Sequence, residues 1–281
     1  MKKDQMIPGR RAVLRIAACV GAALTTRLLT AGQAQTPGSP AAPPPATGAQ
    51  AVSRAAPPVK PSAYRLQPMT EGAQPRYRRP LPPVRKTPIL EMPELGRTMV
   101  LTFDDGPDPD YTPGILRTLR RYDVRAMFFV CGETADTHRD LLREADGDGH
   151  IICNHTWSHP LMTALRPSRI RDEMGRTSQV VEDILGYPPL WYRAPYGAWN
   201  RYAFEIGAEM GMEPLAWTVD TLDWETPGTD TIVRRVVDGA GPGVVVLNHD
   251  AGGDRSQSVA ALRRYLPRLL DDGYRIAVPH R

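Results

Sequence analysis

From Met99 onward the chain alternates short apolar runs with amphipathic stretches. Met99–Phe103 predicts a first strand, and Gly114–Tyr122 then repeats its apolar residues at helical spacing. Ala126–Val130 predicts a second strand, His138–Ala145 a helix, and Ile151–Cys153 a third strand. Ser168–Leu185 predicts the longest helix, with Ile170, Met174, Val181 and Leu185 on its inner face. Gly186-Tyr187-Pro188-Pro189 stops it. A strand at Leu190–Tyr192, a helix over Ala203–Met210 and a strand over Pro214–Val219 follow. Ile232–Val237 predicts a helix, and Gly241-Pro242-Gly243 turns the chain into a strand at Val244–Leu247. Val259–Leu270 is the last predicted helix and Tyr274–Val278 the last strand.

About seven such β-α repeats predict a parallel α/β fold. A closed or nearly closed barrel fits better than an open sheet, because the chemistry-bearing residues follow strand ends. Asp104 and Asp105 follow the first strand, His155 the third, Arg193 the fourth, Asp220 the fifth and His249 the sixth. In a barrel these ends gather on one face and build one site. No glycine-rich phosphate loop or dinucleotide fingerprint is present, so no nucleotide cofactor is implied.

Composition sets the boundaries. Of 29 prolines, 15 fall between Thr36 and Gly96, a stretch without sustained apolar periodicity. Residues 35–96 therefore read as a disordered Pro/Ala-rich linker, and 97–281 as one folded domain, expected to be a monomer. Residues 1–96 carry 14 Lys and Arg against 4 Asp and Glu, which leaves 21 basic and 27 acidic residues on 97–281. The net charge of +4 thus belongs to the tail, and a nucleic-acid-binding domain is excluded, since its basic footprint must lie on the fold. Arg76, Arg78, Arg79, Arg85 and Lys86 suit either a solvated spacer or a contact to an anionic cell wall. Ahead of the linker, Gly9-Arg10-Arg11-Ala12-Val13-Leu14-Arg15 and the apolar stretch to Leu24 resemble a twin-arginine export signal. Small residues place its cleavage after Ala34, so residues 1–34 are read as the signal and the product as secreted or wall-associated. Ile16-Ala17-Ala18-Cys19 mimics a lipoprotein box, but too few apolar residues precede Cys19. Two cysteines remain, Cys131 and Cys153, at the ends of strand-like runs. They are read as buried free thiols, with a bridge across neighbouring strands as the alternative.

The histidines of His155-Thr156-Trp157-Ser158-His159 share one face if the backbone is helical there, and can then reach one metal ion. Thr102-Phe103-Asp104-Asp105-Gly106-Pro107 ends an apolar run in two carboxylates and a Gly-Pro turn. Asp105, His155 and His159 would form an oxygen, nitrogen, nitrogen ligand set suited to zinc, with cobalt or nickel also compatible. Asp104, left free, is placed to act as a general base on water. Arg193, in Arg193-Ala194-Pro195-Tyr196-Gly197, would hold Asp104 ionised, and the Tyr196 backbone would offer an N–H to an oxyanion. In Leu247-Asn248-His249-Asp250, His249 sits at a strand end as a general acid. The carboxylate expected to raise its pKa is Asp220, from Asp220-Thr221-Leu222-Asp223-Trp224. Trp224 and Leu247 would wall a pocket for a methyl group, and Trp157, Trp191, Tyr196 and Trp199 would line either a glycan groove or the core. His138, His150 and His280 have no acidic or histidine neighbours at ligand spacing and are read as surface or core histidines.

These five motifs, in this order over roughly Arg97–Arg281, resemble the polysaccharide deacetylases, the family of chitin, peptidoglycan, acetylxylan and chitooligosaccharide deacetylases. The resemblance implies a distorted (β/α) barrel with its active site at the strand C-terminal ends, and a divalent metal, usually zinc. It implies Asp104 as base, Asp105, His155 and His159 as ligands, and Arg193 as the holder of Asp104. It further implies Tyr196 as oxyanion donor and His249, tuned by Asp220, as acid. The expected activity is removal of N-acetyl groups from an extracellular glycan. O-deacetylation of acetylxylan is the alternative, and a non-catalytic wall-binding protein the reading from another class.

Overall fold

The computed structural model of the chain describes residues 80–92, 94 and 96–279. The expected export signal, most of the linker and His280 lie outside them. Among the described residues no helix is long and apolar enough to cross a membrane.

The strands are β1 (Thr98–Asp104), β2 (Met127–Val130), β3 (Ile151–Asn154), β4 (Trp191–Tyr192), β5 (Glu213–Pro214), β6 (Val219–Asp220), β7 (Val245–His249) and β8 (Arg275–Ile276). The helices are α1 (Thr112–Arg121), α2 (Gly132–Thr137), α3 (Arg139–Gly147), α4 (Pro167–Leu185), α5 (Arg201–Glu209), α6 (Thr229–Asp238) and α7 (Ser256–Asp271). The strands pair in parallel in the order β5-β4-β3-β2-β1-β7-β6, with β8 against the start of β1. The sheet curls into a half-barrel, the distorted barrel that the family resemblance implied and less closed than the strand-end pattern alone suggested.

β1 shows why the apolar runs are continuous. Every one of its seven residues is buried. Met99, Leu101 and Phe103 pack beneath the helices against Ile115, Leu119, Leu262 and Leu266. Val100 faces the opposite way, with Met127, Phe129, Ile151, Cys153, Leu215 and Val245. Period-two alternation puts Thr102 and Asp104 on that second, inner face.

Three predicted elements differ from the structure. The expected strand Pro214–Val219 divides into β5 and β6, which are the two ends of the sheet. Residues 215–218 carry the chain from one edge to the other, and the carbonyls of Leu215 and Ala216 accept hydrogen bonds from the buried Arg193 side chain. A guanidinium thus replaces the ladder partner that a continuous strand needs. α2 has no apolar periodicity and was not expected. It is held by tertiary contacts instead, with Thr134 Oγ1 donating to the Gly106 carbonyl at 2.6 Å.

The third difference is at the domain boundary. Residues 80–92, read as linker, pack on the fold as a strap. Ile89 bridges Leu215, and Glu91 bridges Val244 just before β7. The Met92 N–H donates to the Gly243 carbonyl at 2.8 Å, and its side chain, 2% exposed, joins the inner cluster. Arg85, read as part of either a solvated spacer or a contact to an anionic surface, pairs with Glu213 at 2.5 Å. Met92→Ala is therefore expected to destabilise the domain by roughly 2–5 kcal/mol, since it empties a packed site. A denaturant midpoint measures this, and a loss below about 0.5 kcal/mol would mean the strap merely lies on the surface.

Candidate active site

The motif residues converge at the C-terminal ends of β1, β3, β4 and β7. Asp104 is the last residue of β1 and its side chain is buried. The residue after it, Asp105, has φ of 76°, a left-handed turn that undoes strand alternation and sends both carboxylates the same way. The turn requires glycine next. A Cβ on Gly106 would lie 2.2 Å from Asp250 Oδ2.

Arg193 follows β4 and is fully buried. Its Nη1 donates to Asp104 Oδ1 at 2.5 Å and to Thr102 Oγ1 at 2.9 Å. Its Nε and Nη2 donate to the Leu215 and Ala216 carbonyls at 3.0 and 2.9 Å, and its plane lies over the Phe129 ring at 4.0 Å. The guanidinium thus has protein partners on every side, with one of them the carboxylate. Burial pushes the Asp104 pKa above its ordinary value, while Arg193 and His249 pull it back. The result is a carboxylate oriented and paired through one oxygen, with Oδ2 lying 3.6 Å from His155 Nε2.

Asp105, His155 and His159 come together, but not by the helical turn that their spacing suggested. Residues 155–159 form a bent loop after β3 in which Thr156 and His159 have φ of 69° and 56°. His155 Nδ1 lies 2.9 Å from the Arg193 carbonyl, so this nitrogen carries the proton and Nε2 presents a lone pair. Burial lowers the His155 pKa to about 3 against the pull of Asp105, so the ring is neutral. His155 Nε2 and His159 Nε2 lie 3.5 and 3.3 Å from Asp105 Oδ1. That oxygen is buried and has no hydrogen-bond partner. An orphaned carboxylate oxygen facing an imidazole lone pair is unfavourable unless a cation sits between them. A tetrahedral ion with bonds of about 2.1 Å separates its ligand atoms by roughly 3.4 Å, so these residues fit a small divalent metal.

His249 pairs in register with Asp104 across β1 and β7. Its carboxylate partner is Asp223, a correction to the expected Asp220. His249 Nδ1 lies 2.7 Å from Asp223 Oδ1, while Asp223 Oδ2 accepts from the His249 N–H at 2.9 Å and from Ser258 Oγ at 2.6 Å. Burial works against a charge on His249, but the Asp223 hydrogen bond and the Asp223, Asp105 and Asp104 charges outweigh it and raise its pKa to about 9. Burial would raise the Asp223 pKa, yet its bonds to His249 and Ser258 hold it below the ordinary value. Asp220 instead accepts the Leu222 N–H at 2.8 Å, closing the turn that delivers Asp223. The two carboxylates stand three residues apart in one motif, and the strand-end rule selects the wrong one because the turn after β6 supplies the partner.

The remaining expected residues divide. Tyr196, φ 61°, is exposed, and its ring meets His159 edge-on at 4.6 Å between centroids. Trp224 is half exposed and Leu247 buried. Of the four aromatics read as lining either a groove or the core, only Tyr196 is exposed. Trp199 stacks on Phe204 and meets Tyr192 edge-on, Trp191 packs on the inner cluster, and Trp157 lies under Arg176. Cys131 and Cys153 are both buried and are not bridged to each other, since β2–β3 register sets Cys153 opposite Phe129.

A parallel half-barrel bearing a two-histidine, one-aspartate donor set beside an uncoordinated, arginine-held carboxylate defines the class of this site. The chain belongs to the polysaccharide deacetylase family, whose sequence model matches residues 92–215. A chitooligosaccharide deacetylase of Rhizobium leguminosarum bv. trifolii is 34% identical, over 68% of this chain and 94% of that one. A peptidoglycan-N-acetylglucosamine deacetylase of Bacillus cereus is 36% identical over 63% of this chain; the aligned region spans 65% of that protein, under two thirds of its length. A crystal structure of a peptidoglycan N-acetylglucosamine deacetylase matches with TM-score 0.65 and 34% identity, over 67% of this chain and 89% of the other.

Proposed function

We propose that this protein is an exported, metal-dependent hydrolase that removes N-acetyl groups from an extracellular glycan built on N-acetylglucosamine. The observation that carries the reading is the division of labour between adjacent carboxylates. Asp105 Oδ1 faces two imidazole nitrogens with no hydrogen bond to either, while Asp104 is held by Arg193 and stays outside the donor set. Both relatives named above act on such glycans by their names, which favours the amide over the xylan ester.

A divalent ion held by Asp105, His155 and His159, zinc by its donor set, would supply Lewis acidity at the acetyl carbonyl and a more acidic water. Asp104 takes the proton of the attacking water, and Arg193 keeps it ionised and aimed. The Tyr196 N–H is the donor for the developing oxyanion. His249, kept protonated by Asp223, gives its proton to the nitrogen as the C–N bond breaks, and acetate and the free amine leave. Trp224 and Leu247 wall the methyl group. Export is supported by the Arg10-Arg11 motif and the apolar stretch after it.

Acetate release from chitooligosaccharides, peptidoglycan and acetylxylan, measured side by side, tests the reading. Release is expected from the N-acetylated substrates, lost on chelation and restored by zinc or cobalt. Chelator-resistant release from pure protein would sink the metal role. Release from acetylxylan alone would replace the amide by the ester, and none from any substrate would leave a binding protein.

A further inference from the structure

We propose that Glu173 is a positioning residue for the metal site, holding the His159 arm of the donor set in place through the loop backbone. This inference rests on the metal reading above. Glu173 lies on α4, is 1% exposed, and touches none of the ligand side chains by any recorded contact. Its carboxylate is spent on the loop between the two histidines. Oε2 accepts the Trp157 N–H at 3.0 Å and the Ser158 N–H at 2.9 Å, and Oε1 accepts Ser158 Oγ at 3.1 Å and Arg169 Nη2 at 3.0 Å.

The two histidines are held very unequally. His155 is anchored by its bond to the Arg193 carbonyl and by its own N–H, which donates to the Val130 carbonyl at 2.9 Å. The next residue, Thr156, is fixed by its N–H to Asn154 Oδ1 and by its carbonyl, which accepts the Gly132 N–H. His159 has none of these supports. Its side chain is 28% exposed, its φ is 56°, and its ring rests edge-on against the exposed Tyr196. A left-handed non-glycine residue persists only where its surroundings hold it. The His159 carbonyl takes only a long 3.5 Å hydrogen bond from the exposed Tyr196 hydroxyl, and the nearest buried support is Glu173, whose carboxylate grips the two residues just before it. A buried carboxylate accepting two backbone N–H groups, a hydroxyl and a guanidinium fixes a loop more firmly than neutral groups can. Arg176, one turn further along α4, lies 3.9 Å over the Trp157 ring and closes the same clamp.

The placement makes an asymmetric prediction. Loss of Glu173 should weaken metal binding as loss of His159 does, and should add little once His159 is gone. Titration with cobalt(II) chloride, followed by visible absorption, reads affinity and coordination together without relying on turnover. Glu173→Ala is expected to raise the cobalt Kd about 10- to 100-fold, the range for residues that orient metal ligands. Glu173→Gln is expected to fall between it and the native protein, because one amide oxygen can still accept the two N–H groups while its NH2 faces Arg169. In a His159→Ala background, Glu173→Ala should change the Kd by less than about threefold. Thermal melting of the metal-free proteins checks folding, and if Glu173→Ala does not fold, the Gln variant decides. Native cobalt affinity and spectrum in folded Glu173→Ala and Glu173→Gln, or an equal loss with and without His159, would overturn the proposal. If the native protein takes up no cobalt, the metal reading falls first and this inference with it.

Discussion

Asp104→Asn is expected to lower the rate of acetate release by roughly 10²- to 10⁴-fold, the usual share of a general base, while cobalt or zinc affinity stays near native. The substitution keeps the shape of the side chain, and its amide oxygen can still accept Arg193 Nη1, which now bonds Asp104 Oδ1. The loss is confined to the group that takes a proton. Asp105→Asn should do the reverse and cost metal affinity first, because Oδ1 of Asp105 is the oxygen facing both imidazoles. The paired experiment separates two neighbours that any single activity assay would score alike. Loss of metal from Asp104→Asn would exchange the two roles, and native turnover would remove Asp104 from the chemistry.

The second large effect concerns His249. Asp223→Asn should cut turnover by a further factor of this order and move the alkaline limb of the pH profile downward. The sign follows from the opposing influences on the ring. Burial alone disfavours the imidazolium, and Asp223 overcomes it, so the acid form persists up to about pH 9. Without that carboxylate only the Asp105 and Asp104 charges oppose the burial penalty, and the His249 pKa falls. A cation at Asp105 cancels part of that residue's own pull, so the native limb lies at or below 9. Asp220→Asn keeps the oxygen that caps Leu222 and should stay within about tenfold of native, with a much smaller shift of the limb, since Asp220 feels the His249 charge without bonding its ring. A profile that shifts with Asp220 and not with Asp223 would reverse the assignment.

That contrast marks where the sequence stops being readable. The motif Asp220-Thr221-Leu222-Asp223-Trp224 contains both carboxylates, and only the left-handed Leu222, φ 47°, decides which one swings under His249. The histidine pair has the same character. Spacing of four residues is compatible with a helical face, yet the loop reaches the same convergence with two left-handed residues and a carboxylate from α4. Glu173 sits in a helix whose apolar periodicity is legible, but nothing local distinguishes it from a solvated glutamate. The strap at Ile89 and Met92 is hidden by a proline-rich composition that otherwise describes linkers.

By itself the sequence determined most of the strand and helix order, the apolar run of β1, and the gathering of Asp104, Asp105, His155, His159, Arg193 and His249 at one site. Those follow from local periodicity and from the rule that parallel strands deliver their C-terminal residues to a common face. The tertiary structure alone decided which carboxylate serves His249, how the two histidines meet, how residues 80–92 pack and what holds α2. Each of these depends on which distant backbone group satisfies a buried donor or acceptor, a choice made by packing between segments far apart in the chain.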